Sequence, residues 1–138
     1  MAQVIIFTNE NGGVSVCTPT AEFLETHTIE EVQEKDTPAG SLIVDQDDLP
    51  NKDSDFFNSW ELIDGTVVVN ITKAKEQTKD RLRFERESLL AAQDVLYMRA
   101  TEANQDTTAI VAEKQRLRDL PLLADDCTTL AELRALKA

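Results

Sequence analysis

The chain has 138 residues, a formal net charge of -12 at pH 7 and 41% hydrophobic residues, enough for one ordinary domain or for a small domain with a helical appendage. No run approaches the roughly 18 consecutive apolar residues of a membrane span, and the segment from Met1 to Thr8 lacks the basic start and cleavage site of a secretory leader, so no membrane partner and synthesis in a cytoplasm are expected. The charge is lopsided: residues 1–70 hold 14 acids against Lys35 and Lys52, whereas residues 71–138 hold 12 acids and 12 bases, and a nucleic-acid binder needs a contiguous basic face instead.

Gln3 to Thr8 and Val14 to Cys17 are β-rich runs flanking Asn9-Glu10-Asn11-Gly12-Gly13. Asn11-Gly12 is the dipeptide a type I′ turn prefers, because both of its central residues need positive φ, so a hairpin with that turn is expected. After Pro19, Thr20 caps a short helix through Glu25 with Phe23 and Leu24 as its anchors. Ile29 to Asp36 sets Ile29 and Val32 one turn apart among charged residues, which suits a second short helix or, alternatively, a strand. Ser41 to Asp45 is the next strand, and Gln46 to Pro50 leads out of it as an acidic turn. Asp53 to Trp60 reads as a capped helical turn delivering Phe56, Phe57 or Trp60 to a core. Trp60–Ile63 and Thr66–Val69 flank Asp64-Gly65, a second hairpin of the same kind. Residues 1–70 therefore read as an acidic α+β domain.

After Asn70 glycine disappears, Pro121 is the one proline, and Ala, Leu, Glu, Arg and Lys dominate. Ile71, Ala74, Thr78, Leu82, Glu85, Leu89, Ala92, Leu96 and Ala100 follow steps of three and four along a helix about 30 residues long. Polar Thr78 and Glu85 interrupt that stripe, so its first half is expected to be the more exposed. Asn104 and Asp106 supply a stop and a new N-cap, and a second helix from about Thr107 to Leu120 presents Ile110, Leu117 and Leu120 before Pro121 breaks it. Thr129 and Glu132 have capping-box spacing for a terminal helix carrying Leu130, Leu133 and Leu136. Residues 71–138 are thus an antiparallel helical hairpin with a short terminal helix, giving an α+β chain overall.

Chemical motifs are sparse. His27 is the only histidine, and nothing beside it marks a nucleophile for it to activate. Cys17 and Cys127 have no metal or redox spacing and read as free thiols. Counted from Asp45, the sixth and twelfth positions of a calcium loop hold Pro50 and Phe56 instead of glycine and glutamate. Gly12-Gly13 is not followed by the Lys-Ser/Thr of a nucleotide loop. The bases from Lys73 to Arg86 are threaded with Glu76, Asp80 and Glu85, the pattern of a salt-bridged helix face. No catalytic, cofactor or metal residues are assigned, and a protein-binding, non-enzymatic role is expected. The candidate contact residues are Leu82, Leu89, Leu96, Ile110 and Leu117, whose alternative role is the hairpin's own seam.

Val4-Ile5-Ile6-Phe7 with Asn11-Gly12-Gly13-Val14 and Pro19, Asp36-Thr37-Pro38-Ala39-Gly40, Leu49-Pro50 and Phe57-Asn58-Ser59-Trp60-Glu61 together resemble a group of small tail-associated proteins of tailed bacteriophages. Lys73-Ala74-Lys75, Arg81-Leu82-Arg83, Arg86, Leu89-Leu90, Met98-Arg99-Ala100 and Gln115-Arg116-Leu117-Arg118-Asp119 are similar to the C-terminal helical segments of many phage tail proteins. The resemblance covers most of the chain, rests on turn and helix patterns, and supplies no functional residues. It implies a virion tail protein, a ring-forming collar or adapter that self-associates and attaches tail fibres, or alternatively a tail fibre assembly chaperone absent from the mature particle.

Overall fold

The run Val4-Ile5-Ile6 has no polar residue to turn toward solvent, and in the computed structural model, which describes residues 2–138, all three side chains are buried. They lie in β1 (Gln3–Thr8), the middle strand of an antiparallel sheet ordered β2-β1-β3 with β2 (Val14–Cys17) and β3 (Leu42–Asp45). Strand residues alternate between faces, and the register makes two rows of them. Ile5 lies opposite Cys17 and Ile43, and Ile6 opposite Val16 and Leu42. A central strand covered on both faces leaves no room for the usual apolar–polar alternation.

The Ile5 row is covered by Ile29 and Val32 of α2 (Ile29–Asp36), which follows the four-residue α1 (Ala21–Leu24). Thr20 and Thr28 cap these helices, each accepting an N–H through its hydroxyl at 3.2 Å. Phe23 and Leu24 are not anchors, being 37% and 40% exposed; a helix of four residues has no second turn with which to press them inward. Val4 and Ile6 pack instead with Val14, Leu49, Trp60 and Val67, the last two from the hairpin of β4 (Trp60–Ile63) and β5 (Thr66–Val69). Asp64 and Gly65 both have positive φ, 50° and 81°, as a two-residue primed turn requires.

The first hairpin departs from its expected turn. Gly12 has positive φ but Asn11 does not, so the connection is a five-residue loop rather than a type I′ turn. Asn9 organises it: its side-chain oxygen accepts the N–H groups of Asn11 and Gly13, both at 3.0 Å. The side chain stands in for a backbone turn.

The chain divides into two compact units, one running to Asn70 and the other from Ile71 to Ala138. The second consists of α3 (Ile71–Glu102), α4 (Thr108–Asp119), a 3-10 segment over Leu120–Asp126 and α5 (Leu130–Ala135). Asn104 turns the chain with φ 54°; the N-cap position of α4 falls on Thr107 rather than Asp106, whose carboxylate just before it accepts from the backbone and hydroxyl of Thr108 at 3.0 and 2.7 Å. The 3-10 segment and α5 return along α3, so the unit is more than a two-helix hairpin. Its buried side chains include Ala74, Thr78, Leu82, Leu117, Leu120, Ala124 and Leu133.

Candidate functional site

The stripe on α3 behaves opposite to expectation. Ala74, Thr78 and Leu82 in its first half are no more than 2% exposed, while Leu89 and Leu96 in its second half are 41% and 45% exposed. The reason lies downstream: α5 and the 3-10 segment supply the cover that tolerates one small polar residue, Thr78, in the seam. Of the five candidate contact residues, Leu82 and Leu117 are wholly buried and belong to the unit's own core. That corrects their reading as contact residues. Ile110 is half-buried, and only Leu89 and Leu96 are open to a partner.

Two arginines, not singled out from the sequence, shape this unit. Arg81 donates to the carbonyl oxygens of Leu133 and Leu136 at 3.1 and 2.8 Å. Arg86 does the same to Leu117 and Arg118, at 3.1 and 2.7 Å. Each donates to carbonyls near a helix C-terminus, and its charge complements the negative end of the helix dipole. Sequence alone shows only that these bases sit near carboxylates; the partners are more than 30 residues away.

Several other bases of the unit pair with carboxylates. Lys79 reaches Asp125 at 2.7 Å and Glu76 at 3.3 Å, Arg83 pairs with Asp80 at 2.9 Å, and Arg116 with Glu113 at 2.7 Å. Lys114 lies 2.7 Å from Asp94 and 5.1 Å from the centroid of the Tyr97 ring, tying α4 to α3 through an ion pair and a cation–π contact. The hydrogen bond that Lys79 donates to the Asp125 carboxylate is the main influence raising the Lys79 pKa. Among the described residues each base from Lys73 to Arg86 thus has a partner.

In the first unit, His27 stacks on Phe23 with centroids 4.0 Å apart and meets the Thr26 hydroxyl at 2.8 Å. It borders a depression with Pro19, Leu24 and Ile29 whose lining holds no acid and no cysteine. Asp45 caps the turn after β3 by accepting the Asp47 N–H at 2.9 Å, which accounts for that acidic cluster. Among the described residues no group of three or more His, Cys, Asp or Glu side chains is placed to hold a metal ion. Trp60 is 3% exposed and donates through its indole N–H to the Asp53 carbonyl at 3.2 Å, and Phe56 is 5% exposed, so both are core. Phe57 stays outside, tilted 58° against Trp60.

Comparison with protein-family models, curated proteins and solved structures finds no match to this chain.

Cys127 is buried and donates weakly to the Leu123 carbonyl, and burial is the main cause pushing its thiol pKa up, which keeps it protonated and unreactive. The most open apolar side chains are in the second unit: Phe84, Met98 and Leu122 are 78%, 61% and 60% exposed. Scattered singly they would need no explanation, but Val95, Leu96 and Met98 fall within one turn of α3, with Leu89 about two turns before Leu96.

Proposed function

We propose that this protein is a structural component of a bacteriophage tail, a collar or adapter that joins copies of itself and tail fibres through protein–protein contacts, without catalysis. The observation that carries the reading is the uncovered apolar side of the second half of α3, on a helix whose Ala74, Thr78 and Leu82 stripe is packed in the first half. A free-standing unit gains nothing from leaving such a side open, whereas an assembling one needs it. The likeness of the sequence to small tail-associated phage proteins supplies the biological setting. The acidic first unit and the charge-balanced second unit offer two chemically different surfaces, which suits a part that meets two kinds of neighbour.

An exposed apolar helix side also suits a tail fibre assembly chaperone that leaves before the particle is complete. Quantitative mass spectrometry of purified virions separates the two. The expected result is a fixed ratio of this chain to a tail-tube protein. Abundance in infected cells with absence from particles would instead select the chaperone.

A further inference from the structure

Charge is spread unevenly along α3. Residues 72–87 carry ten charged side chains, whereas in residues 88–98 the one charge is Asp94, and Lys114 neutralises it at 2.7 Å. This neutral stretch is not buried to match, since Leu89, Val95 and Leu96 are 41%, 46% and 45% exposed. Helical residues advance by about 100° each, so Leu89, Ala92, Val95 and Leu96 share one side of α3. The contacts with α4 through Arg86, Asp94 and Tyr97 lie a third of a turn or more away from Ala92.

We infer that this side of α3 binds the same side of a second copy of the chain, the two helices running antiparallel about a two-fold axis beside Ala92. The inference rests on the proposed self-associating role and names the surface, orientation and register that role would use. Charge complementarity argues for the orientation. Glu85 and Arg99 each lie seven residues from Ala92, two helical turns, and so fall on the same line along the helix. Antiparallel pairing sets each Glu85 against the partner's Arg99, while parallel pairing would stack like on like. Arg99 has no ion pair among the described residues, and Glu85, which accepts from Arg81 at 2.6 Å and from the Ala138 N–H at 3.3 Å, keeps lone pairs on both carboxylate oxygens for a second base.

Two further features argue for a second copy as the occupant. Ala92 is small enough to let two helices approach closely at the axis, and the same register places Leu89 opposite the partner's Val95. Residues 71–138 also balance 12 acids with 12 bases, so two copies meeting there avoid the repulsion carried by the acidic residues 1–70. A two-fold contact needs only a self-complementary patch, which an acid at one end and a base at the other supply.

The test uses the full chain. Sedimentation equilibrium over increasing concentration is expected to show twice the chain mass. Leu96→Asp or Arg99→Glu, both at exposed positions, should shift the midpoint at least tenfold toward monomer with the helical circular dichroism unchanged. Under mild oxidation Ala92→Cys should form a 92–92 disulfide, mapped by peptide mass spectrometry. Leu89→Cys should not link to itself, because the two copies of residue 89 would sit about 9 Å apart along the axis, beyond the roughly 7 Å Cα separation a disulfide spans. A strict monomer up to about millimolar concentration, a Leu96→Asp variant that still dimerises, or 89–89 linkage as ready as 92–92 would each overturn the inference. A monomer in solution with a fixed copy number in virions sinks this contact and leaves the tail role standing. A dimer absent from virions does the reverse.

Discussion

Glu132 lies in the first turn of α5 and accepts from the hydroxyls of Thr128 and Thr129 at 2.9 and 3.1 Å, while Thr129 accepts the Glu132 N–H at 3.2 Å. The Thr128 hydroxyl is the main cause holding the Glu132 pKa below its ordinary value. Asp106 is lowered chiefly by the Thr108 hydroxyl, Glu113 by Arg116 and Glu85 by Arg81. For such carboxylates the added stability is complete above the unfolded range, about pH 4, and is lost as pH falls through the lower folded values. The thermal unfolding midpoint should therefore hold between pH 5 and 7 and drop below about pH 4; a midpoint unchanged down to pH 2 would contradict it. Removing the cap hydroxyl in Thr129→Ala should cost about 1 kcal/mol in denaturant unfolding. Thiol chemistry gives a separate check. With Cys127 buried and Cys17 half-buried, an aromatic disulfide reagent should modify Cys17 first, and Cys127 only at the rate at which the second unit opens.

At the scale of elements, α3 has two halves with different duties, and truncation distinguishes them. Leu82→Ala and Leu117→Ala each empty a fully buried position and should destabilise the chain by about 2–5 kcal/mol. Leu89→Ala and Leu96→Ala, measured below the concentration of self-association, should fall within about 0.5 kcal/mol of the parent; equal losses at all four positions would mean that the distal half is covered after all. Most of the strands, helices and their turns were legible in the sequence because each is a local signal, such as Asp64-Gly65 for a hairpin or Thr129 with Glu132 for a helix start. The loop at Asn9 was less so, since the Asn11-Gly12 pair names a turn type that a side chain four residues from Gly13 replaced. The stripe on α3 was legible as a stripe, but not as half buried and half open. That depends on where the segment after Pro121 lies, a contact between residues some 40 to 50 apart to which periodicity is blind.

For the molecule as a whole, the segregation of charge is the property most plainly written in the sequence, and it separates the two units physically. Net charge resides in the unit ending at Asn70, where Lys35 and Lys52 are the only bases. Self-repulsion there is screened by salt over a Debye length of about 10 Å at 0.1 M. Raising ionic strength from about 10 mM to 0.3 M should raise the unfolding midpoint followed through Trp60 fluorescence by a few degrees, and a fall would show that attractive pairs dominate that unit. The candidate surface was only partly legible: Leu89 and Leu96 were among the residues singled out, whereas Val95, Ala92 and Arg99 acquire meaning only when the covered sides of α3 are known. A binding surface leaves no equivalent of a catalytic motif in one chain, so the role proposed at this scale rests on likeness of pattern alone.

Arg81 grips the carbonyls of Leu133 and Leu136, and the Ala138 amide reaches Glu85 at 3.3 Å. A protease reaching for the segment after α5 thus meets a chain fastened to a long helix by a permanently charged fork. It can cut there only in the moments when that fastening lets go, so the lag before cleavage near Leu136 becomes a clock for local opening of the second unit, and Arg81→Gln should make that clock run fast.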